Sequence, residues 1–334
     1  MKTKHISMRQ ILILTLLVVF CALSGCSAKK QKVYRVGILT SFAPMLTIAE
    51  GFKAGMTELG YVEGKNIVYD VQVKDADPEG EKQTVKKFIN DKVDLIFTFP
   101  TGASVTAYRI AQGTGIPVVF AMCGVEGNIQ VESVRHPGGN ITGVRFPGPD
   151  NVIRHLELMI ELKPQTKRVW VTYDPCYPNT PIMLDALRLA ASSKGITIVE
   201  ASHTNAEEVQ ADLQAVAASG DIPDAILLLP EALSQSPSGS GVMIKFANKY
   251  RIPVGGGVPY TLDSGAVFSF LPDELEMGKM AAPLADKIFR GIPAGGTIPL
   301  VTPENHLWLN YKAAQELGLT VPEGLLSRAD KIIR

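Results

Sequence analysis

The chain writes one strand-and-helix series twice. From Val33 onward, β-rich runs alternate with segments of helical period, first as Val33–Leu39, Ile67–Val73, Val93–Phe97 and Pro117–Met122. The series returns as Arg168–Tyr173, Ile196–Glu200, Ala225–Leu229 and Pro253–Gly255. Asp94-Leu95-Ile96 is answered by Asp224-Ala225-Ile226 after 130 residues, and Ile116-Pro117-Val118 by Ile252-Pro253-Val254 after 136. So long a period excludes a solenoid and fits a duplicated α/β lobe. Alternating strands and helices predict a parallel sheet in each lobe with helices on both faces. Helices are expected at Ala49–Leu59 and Pro181–Ser193, closed by Gly60 and Gly195 where a left-handed C-cap belongs.

Three proline- and glycine-rich stretches are candidate crossings between the lobes: Arg145–Asp150, Phe270–Asp273 and Gly291–Pro303. Asp273 is placed to cap the helix running to Arg290. The expected boundaries are 33–146 plus about 272–300 for the N-lobe, and 147–271 plus about 301–334 for the C-lobe. Three crossings make a bending zone, so closure about a hinge is expected.

The first residues read as an address. Lys2, Lys4 and Arg9 precede an apolar run from Ile11 to Leu23, followed by Ser24, Gly25 and Cys26. The run is short of the ~20 residues a membrane span needs. Residues 1–25 are therefore expected to be an export signal and 26–32 a polar tether. Leu23-Ser24-Gly25-Cys26 resembles a bacterial lipobox, which implies cleavage before Cys26, its acylation, and a lipid-anchored extracytoplasmic protein. The alternative is an uncleaved anchor helix.

The full chain of 334 residues carries 33 basic and 33 acidic side chains. Losing residues 1–25 removes three basic groups and no acidic one, leaving 30 against 33, a net of about −3. No basic field suited to a phosphate backbone remains, so nucleic acid is not an expected partner. Of four cysteines, Cys123 and Cys176 stay in the body of the protein. Both follow strands in equivalent places of the two lobes, where a stable disulfide would pin the hinge; they are expected to be free or only transiently paired.

In parallel sheets ligands collect at the carboxyl ends of the strands. The N-lobe offers Ser41 and Phe42, then Phe99-Pro100-Thr101-Gly102-Ala103-Ser104, then Cys123 and Glu126. The C-lobe offers Asp174, Tyr177, Asn179 and Thr180, then His203, Glu231, Gly257 and Tyr260. Thr101–Ser104 has small residues and two hydroxyls at a helix start, which suits a carboxylate or serves as an ordinary cap. Phe42, Phe99, Tyr177 and Tyr260 are candidate apolar walls, or packing within their own lobes. Glu126, Asp174 and Glu231 are candidate partners for a ligand cation, or solvated loop carboxylates.

Catalytic motifs are missing. The chain has no phosphate-binding loop, no G-x-G-x-x-G after a strand, no H-E-x-x-H and no C-x-x-C. Ser238-Gly239-Ser240-Gly241 lacks the glycine a nucleophile elbow requires. His136, His155, His203 and His306 are scattered, with only His203 at a strand end, and no spacing suggests a metal. No cofactor is expected.

Glu50-Gly51-Phe52-Lys53-Ala54-Gly55-Met56, followed by Leu59-Gly60-Tyr61-Val62-Glu63-Gly64-Lys65-Asn66-Ile67, resembles the first helix and turn of a family of ABC-transporter substrate-binding lipoproteins. The branch it resembles includes tryptophan and tyrosine binders. The likeness continues through Arg135-His136-Pro137-Gly138-Gly139-Asn140-Ile141-Thr142-Gly143-Val144 and ends in Asn310–Ala314 and Leu325–Asp330. It implies two similar Rossmann-like lobes in a type I periplasmic-binding-protein fold with three hinge crossovers. It also implies a monomer that captures a small solute for a membrane permease. Amino-acid binders of the family hold the carboxylate at the helix start corresponding to Thr101–Ser104. They place an acidic residue after the strand matching Pro253–Gly255 and an Asp-Asn pair after the one ending at Leu229. Here those positions read Gly256-Gly257-Val258-Pro259 and Pro230-Glu231-Ala232, which leaves Glu231 as the candidate ammonium partner. Two other readings stay open: a ligand sensor feeding a signalling partner, and an extracytoplasmic enzyme using Cys123, Cys176 or His203.

Overall fold

A computed structural model describes residues 32–75, 77–126, 131–297 and 300–334. The chain divides into two units, Met1–Val33 and Tyr34–Arg334. The expected export signal, Cys26 and all of the tether but Lys32 lie outside the described residues. Among the described residues no helix is long and apolar enough to cross a membrane.

The second unit holds both lobes. In the N-lobe, β1 (Tyr34–Thr40) leads through a short 3-10 turn (Ala43–Met45) into α1 (Leu46–Glu58). There follow β2 (Ile67–Val73), α2 (Pro78–Asn90), β3 (Leu95–Phe99), α3 (Thr101–Ala111), β4 (Val118–Cys123) and β5 (Ile141–Arg145). The five strands form one parallel sheet in the order β2-β1-β3-β4-β5. β3 and β4 are buried along their whole length, as central strands covered on both faces must be. Alternate residues serve opposite cores: Leu95, Phe97 and Phe99 of β3 pack with Phe52 and Val36, whereas Ile96 packs with Phe88 and Val118.

The chain then crosses through Phe146-Pro147 into α4 (Gly148–Leu162), β6 (Arg168–Tyr173), α5 (Thr180–Ser193), β7 (Thr197–Ser202) and α6 (Ala206–Ser219). β8 (Ala225–Leu227), α7 (Ala232–Gln235), α8 (Pro237–Tyr250), β9 (Val254–Gly255), α9 (Tyr260–Asp263) and β10 (Phe268–Pro272) continue the C-lobe. A second crossing at Asp273 enters α10 (Glu274–Phe289), which packs against α1 of the N-lobe. After α11 (Ala294–Thr297) the third crossing brings the chain back as β11 (Asn305–Asn310), α12 (Tyr311–Glu316), α13 (Glu323–Arg328) and β12 (Lys331–Ile333). The C-lobe sheet has the order β12-β11-β10-β9-β8-β6-β7.

The repeated tripeptides do equivalent jobs. Asp94 Oδ2 accepts Arg35 N–H at 2.8 Å at the start of β1, and Asp224 Oδ2 accepts Lys167 and Arg168 N–H, both at 2.8 Å, at the start of β6. Pro117 O accepts Ile96 N–H at 3.0 Å, and Pro253 O accepts Ile226 N–H at 2.9 Å. Gly60 and Gly195 take φ of 91° and 66°, the left-handed conformation expected of them.

The sheets are mostly parallel, as expected, with β10 and β11 of the second pairing antiparallel. β11 enters after an excursion through the other lobe, so no right-handed crossover within its own lobe dictates its direction. The strands read from the sequence are joined by β5 in the first sheet and by β10, β11 and β12 in the second.

The α1–α10 contact is built from glycine. A Cβ on Gly51 would run into Leu275 O, and one on Gly278 into Ile48 O. Backbone cannot yield as a side-chain end can. Gly278→Ala should therefore lower unfolding stability by about 1–3 kcal/mol. Gly241→Ala, on α8 where nothing lies within 4 Å, should be neutral or stabilise by up to ~1 kcal/mol. Denaturant midpoints of the two variants check the contrast, and equal shifts would contradict it.

Candidate functional site

The carboxyl ends of β1, β3 and β4 face those of β6, β8 and β9 across a gap lined from both sides. Phe42, Met45, Thr101, Met122 and Phe146 line it from the N-lobe, with Tyr177, Glu231, Gln235 and Val258 opposite. The lobes are closed on one another, since the central cavity is only ≈ 20 Å³. A second chamber of ≈ 210 Å³ adjoins it through Phe42, Met45, Gln235 and Val258.

Thr101 joins the lobes. It opens α3, is 3% exposed, and its Oγ1 accepts Gly124 N–H at 3.1 Å and Asn179 Nδ2–H at 3.2 Å from the opposite lobe. Gly124 lies so close to Asn179 that a Cβ there would collide with the side-chain amide. Asn179 is 3% exposed, yet its Oδ1 has no hydrogen-bond partner among the described residues. Such an orphaned acceptor costs about 1–3 kcal/mol. Tyr177 covers the start of α3, where a Cβ on Gly102 would sit 3.8 Å from its Cε2. Burial pushes the Tyr177 phenol well above its usual range, while the Thr101 hydroxyl and the Gly102 backbone pull it down.

Other expected site residues turn inward. Phe99 is fully buried among Phe97, Phe52 and Val119. Ala103 packs with Leu39 and Ile96. Ser104 Oγ donates to Pro100 O at 2.7 Å and accepts Thr98 Oγ1–H at 2.8 Å, so its hydroxyl serves its own helix and strand. Ser41 donates its hydroxyl to Glu81 Oε1 at 2.6 Å, a buried carboxylate whose pKa desolvation raises. Gly257 is hemmed in by Thr261 and Leu228.

The loop after β6 is occupied with itself. Asp174 Oδ1 accepts Cys176 N–H at 2.8 Å, and Thr180 Oγ1 donates to Asp174 O at 2.9 Å. Glu126 pairs with Arg145 at 3.4 Å. His203 Nδ1 bonds Thr172 Oγ1 at 2.8 Å beside Trp170, within its own lobe. Glu231, 2% exposed, caps α7: its carboxylate accepts Leu233 N–H at 2.9 Å, Ser234 N–H at 2.6 Å and Asp174 N–H at 3.4 Å. Burial raises its pKa to about 7 against the pull of those donors.

Cys123 and Cys176 are both free, but they do not share an environment. Cys176 is exposed, whereas Cys123 is buried, and desolvation pushes its thiol up to about 12. A thiol so held is a poor nucleophile at neutral pH. Among the described residues no group of His, Cys, Asp and Glu is arranged to hold a metal.

Gln235, Met45 and Glu274 are among the lining residues that were not anticipated. Gln235 donates through Nε2 to Leu229 O at 2.9 Å and Gly256 O at 3.2 Å, and its Oε1 accepts Val258 N–H at 2.8 Å. It thereby ties the ends of β8 and β9 together. Tyr260 lines the larger chamber and donates its hydroxyl to Gln235 O. Met45 and Glu274 line the same chamber. Gln235 and Met45 follow strand ends and were open to the same positional argument as their neighbours. Glu274, as the residue after a helix cap, gave no such signal.

The sequence profile for the family described as ABC transporter substrate binding protein matches residues 36–333. A tyrosine-binding protein of Clostridioides difficile is 27% identical over 293 residues, covering 87% of this chain and 82% of that protein. Among solved structures, a conserved domain protein from Vibrio cholerae superposes with a TM-score of 0.81 at 28% identity, covering 90% of this chain and 100% of that one. A domain from Streptococcus pneumoniae in complex with L-Trp gives 0.80 at 21% identity over the same shares of each chain. With that profile spanning both lobes, and with the paired sheets and three crossings of the type I periplasmic-binding fold, the chain belongs to the ABC transporter substrate-binding protein family.

Proposed function

We propose that this protein is the extracytoplasmic receptor of an ABC importer, held at a bacterial membrane through Cys26, which closes its lobes on a small carboxylate such as an amino acid. The observation that carries the reading is the Thr101–Asn179 hydrogen bond. It joins the start of α3 to the opposite lobe at the place where helix N–H groups favour an anion. The orphaned Asn179 Oδ1 beside it gives a bound donor a place to pair. The tyrosine-binding relative and the L-Trp complex on the same fold make aromatic amino acids the first class to test. Binding and handing over need no chemistry, in keeping with the buried Cys123 and the engaged His203.

Because only the folded chain presents the cleft, a true ligand should raise the melting temperature in proportion to the logarithm of its concentration. A thermal-shift series over amino acids, aromatic acids, nucleosides and small peptides identifies the class. Silence for every carboxylate would remove the proposed anchor. Thr101→Val removes the acceptor for two N–H groups, at a cost of about 1–3 kcal/mol. It should weaken a carboxylate ligand by about tenfold or more in titration calorimetry; unchanged affinity would place the anchor elsewhere.

In the native protein, a maleimide should label Cys176 and leave Cys123 unmodified until denaturant is added. Two thiols reacting at equal rates would count against the buried placement and reopen an enzymatic reading.

A further inference from the structure

The space left in the closed cleft lies to one side of Thr101, and its charge is one-signed. The ≈ 210 Å³ chamber is walled by Phe42 and Met45 from the N-lobe, Gln235, Pro259 and Tyr260 from the C-lobe, and Glu274 from the second crossing. A second cavity of ≈ 210 Å³ lies beyond Pro259 and Glu274, lined also by Asp273, His306 and Trp308. No lysine or arginine lines either. Asp273 is engaged as the α10 cap, accepting Glu276 N–H at 2.9 Å, and His306 faces Asp330 at 3.5 Å. Glu274 has neither a hydrogen bond nor an ion pair among the described residues. Desolvation and the neighbouring Asp273 charge raise its pKa to about 7.

We infer that Glu274 receives a positively charged ligand group, an ammonium or guanidinium at the end of the ligand away from Thr101. The inference rests on the receptor reading and narrows its ligand to a basic amino acid or a related amine-bearing carboxylate. Glu274 is partly buried and lines the chamber without a partner among the described residues, so a ligand cation entering there gains a charge-assisted contact. The aromatic rings of Phe42 and Tyr260 suit the same guest, because their faces attract cations. The chamber is smaller than the roughly 300–1,000 Å³ of a whole ligand pocket. It therefore fits a side chain, with the backbone end towards the central gap, which shares four lining residues with it and must open to admit that end.

Titration calorimetry with L-lysine, L-arginine, L-norleucine, L-tyrosine and L-phenylalanine tests this on the wild type and on Glu274→Gln. The expected result is lysine or arginine binding about tenfold or more tighter than norleucine, an advantage that Glu274→Gln abolishes. An unchanged melting temperature of the ligand-free variant reports that it is folded. Equal affinity for lysine and norleucine, or an advantage that survives Glu274→Gln, overturns the inference. So does a preference for tyrosine over phenylalanine that vanishes in Glu274→Gln, which would put a phenol hydroxyl against the carboxylate. Tyrosine binding without any preference for a basic ligand defeats the Glu274 inference and leaves the receptor reading standing. Failure of all five amino acids to bind defeats the Glu274 inference, and the receptor reading is then decided by the thermal-shift series.

Discussion

The architecture depends on a close helix contact across the second crossing. α10 follows the last β-α strand of the C-lobe, yet Gly278 brings it against Ile48, and Leu275 against Gly51, on the N-lobe helix α1. Without side chains at those points the two backbones approach closely enough for Met277, Ala281 and Ala282 to join the same core as Phe52 and Met56. Having been drawn to the wrong lobe by this contact, the chain must return to supply β11 and β12. A first crossing thus becomes three. The number of links follows from where α10 packs, a contact that the glycines of two helices allow.

That arrangement also decides what the cleft contains. The first residue of α10 sits where the second crossing meets the gap, so Glu274 lines cavities on both sides of Pro259. At the centre, Thr101, Asn179, Gly124 and Tyr177 meet so tightly that almost no space remains. A ligand held there must displace side chains or enter while the lobes stand apart. The side chamber, by contrast, persists when the lobes are closed. On the proposed receptor reading, ligand selection would be split between a polar seam at the start of α3 and the side chamber near the second crossing.

The strand series was legible because central parallel strands are buried on both faces and read as unbroken apolar runs, as β3 and β4 do. The matched tripeptides were legible because each opens a strand with an aspartate that ties down its neighbour. β5 and β11 were not, since their places in the sheets depend on the crossings. Within the helix start, position along the chain located Thr101 but could not orient its neighbours. Ala103 lies about 200° around the helix from Thr101 and so meets the sheet. Ser104 bonds back to Pro100 O four residues earlier, a habit of serine in a first helical turn. Glu274 was invisible for a different reason: an acid following an aspartate cap is what any helix dipole favours.

Glu231 and Glu274 show why burial alone does not mark a binding group. Both carboxyls are pushed to about 7, chiefly by desolvation. Glu231 meets three backbone N–H groups, which favour its ionised form and employ it in holding α7 against the loop after β6. Removing it would strand those donors, so its loss would disturb the fold whatever it does for a ligand. Glu274, only partly buried, meets no donor among the described residues. Of two carboxyls equally displaced from their ordinary range, the one without partners is the one whose state a ligand can change.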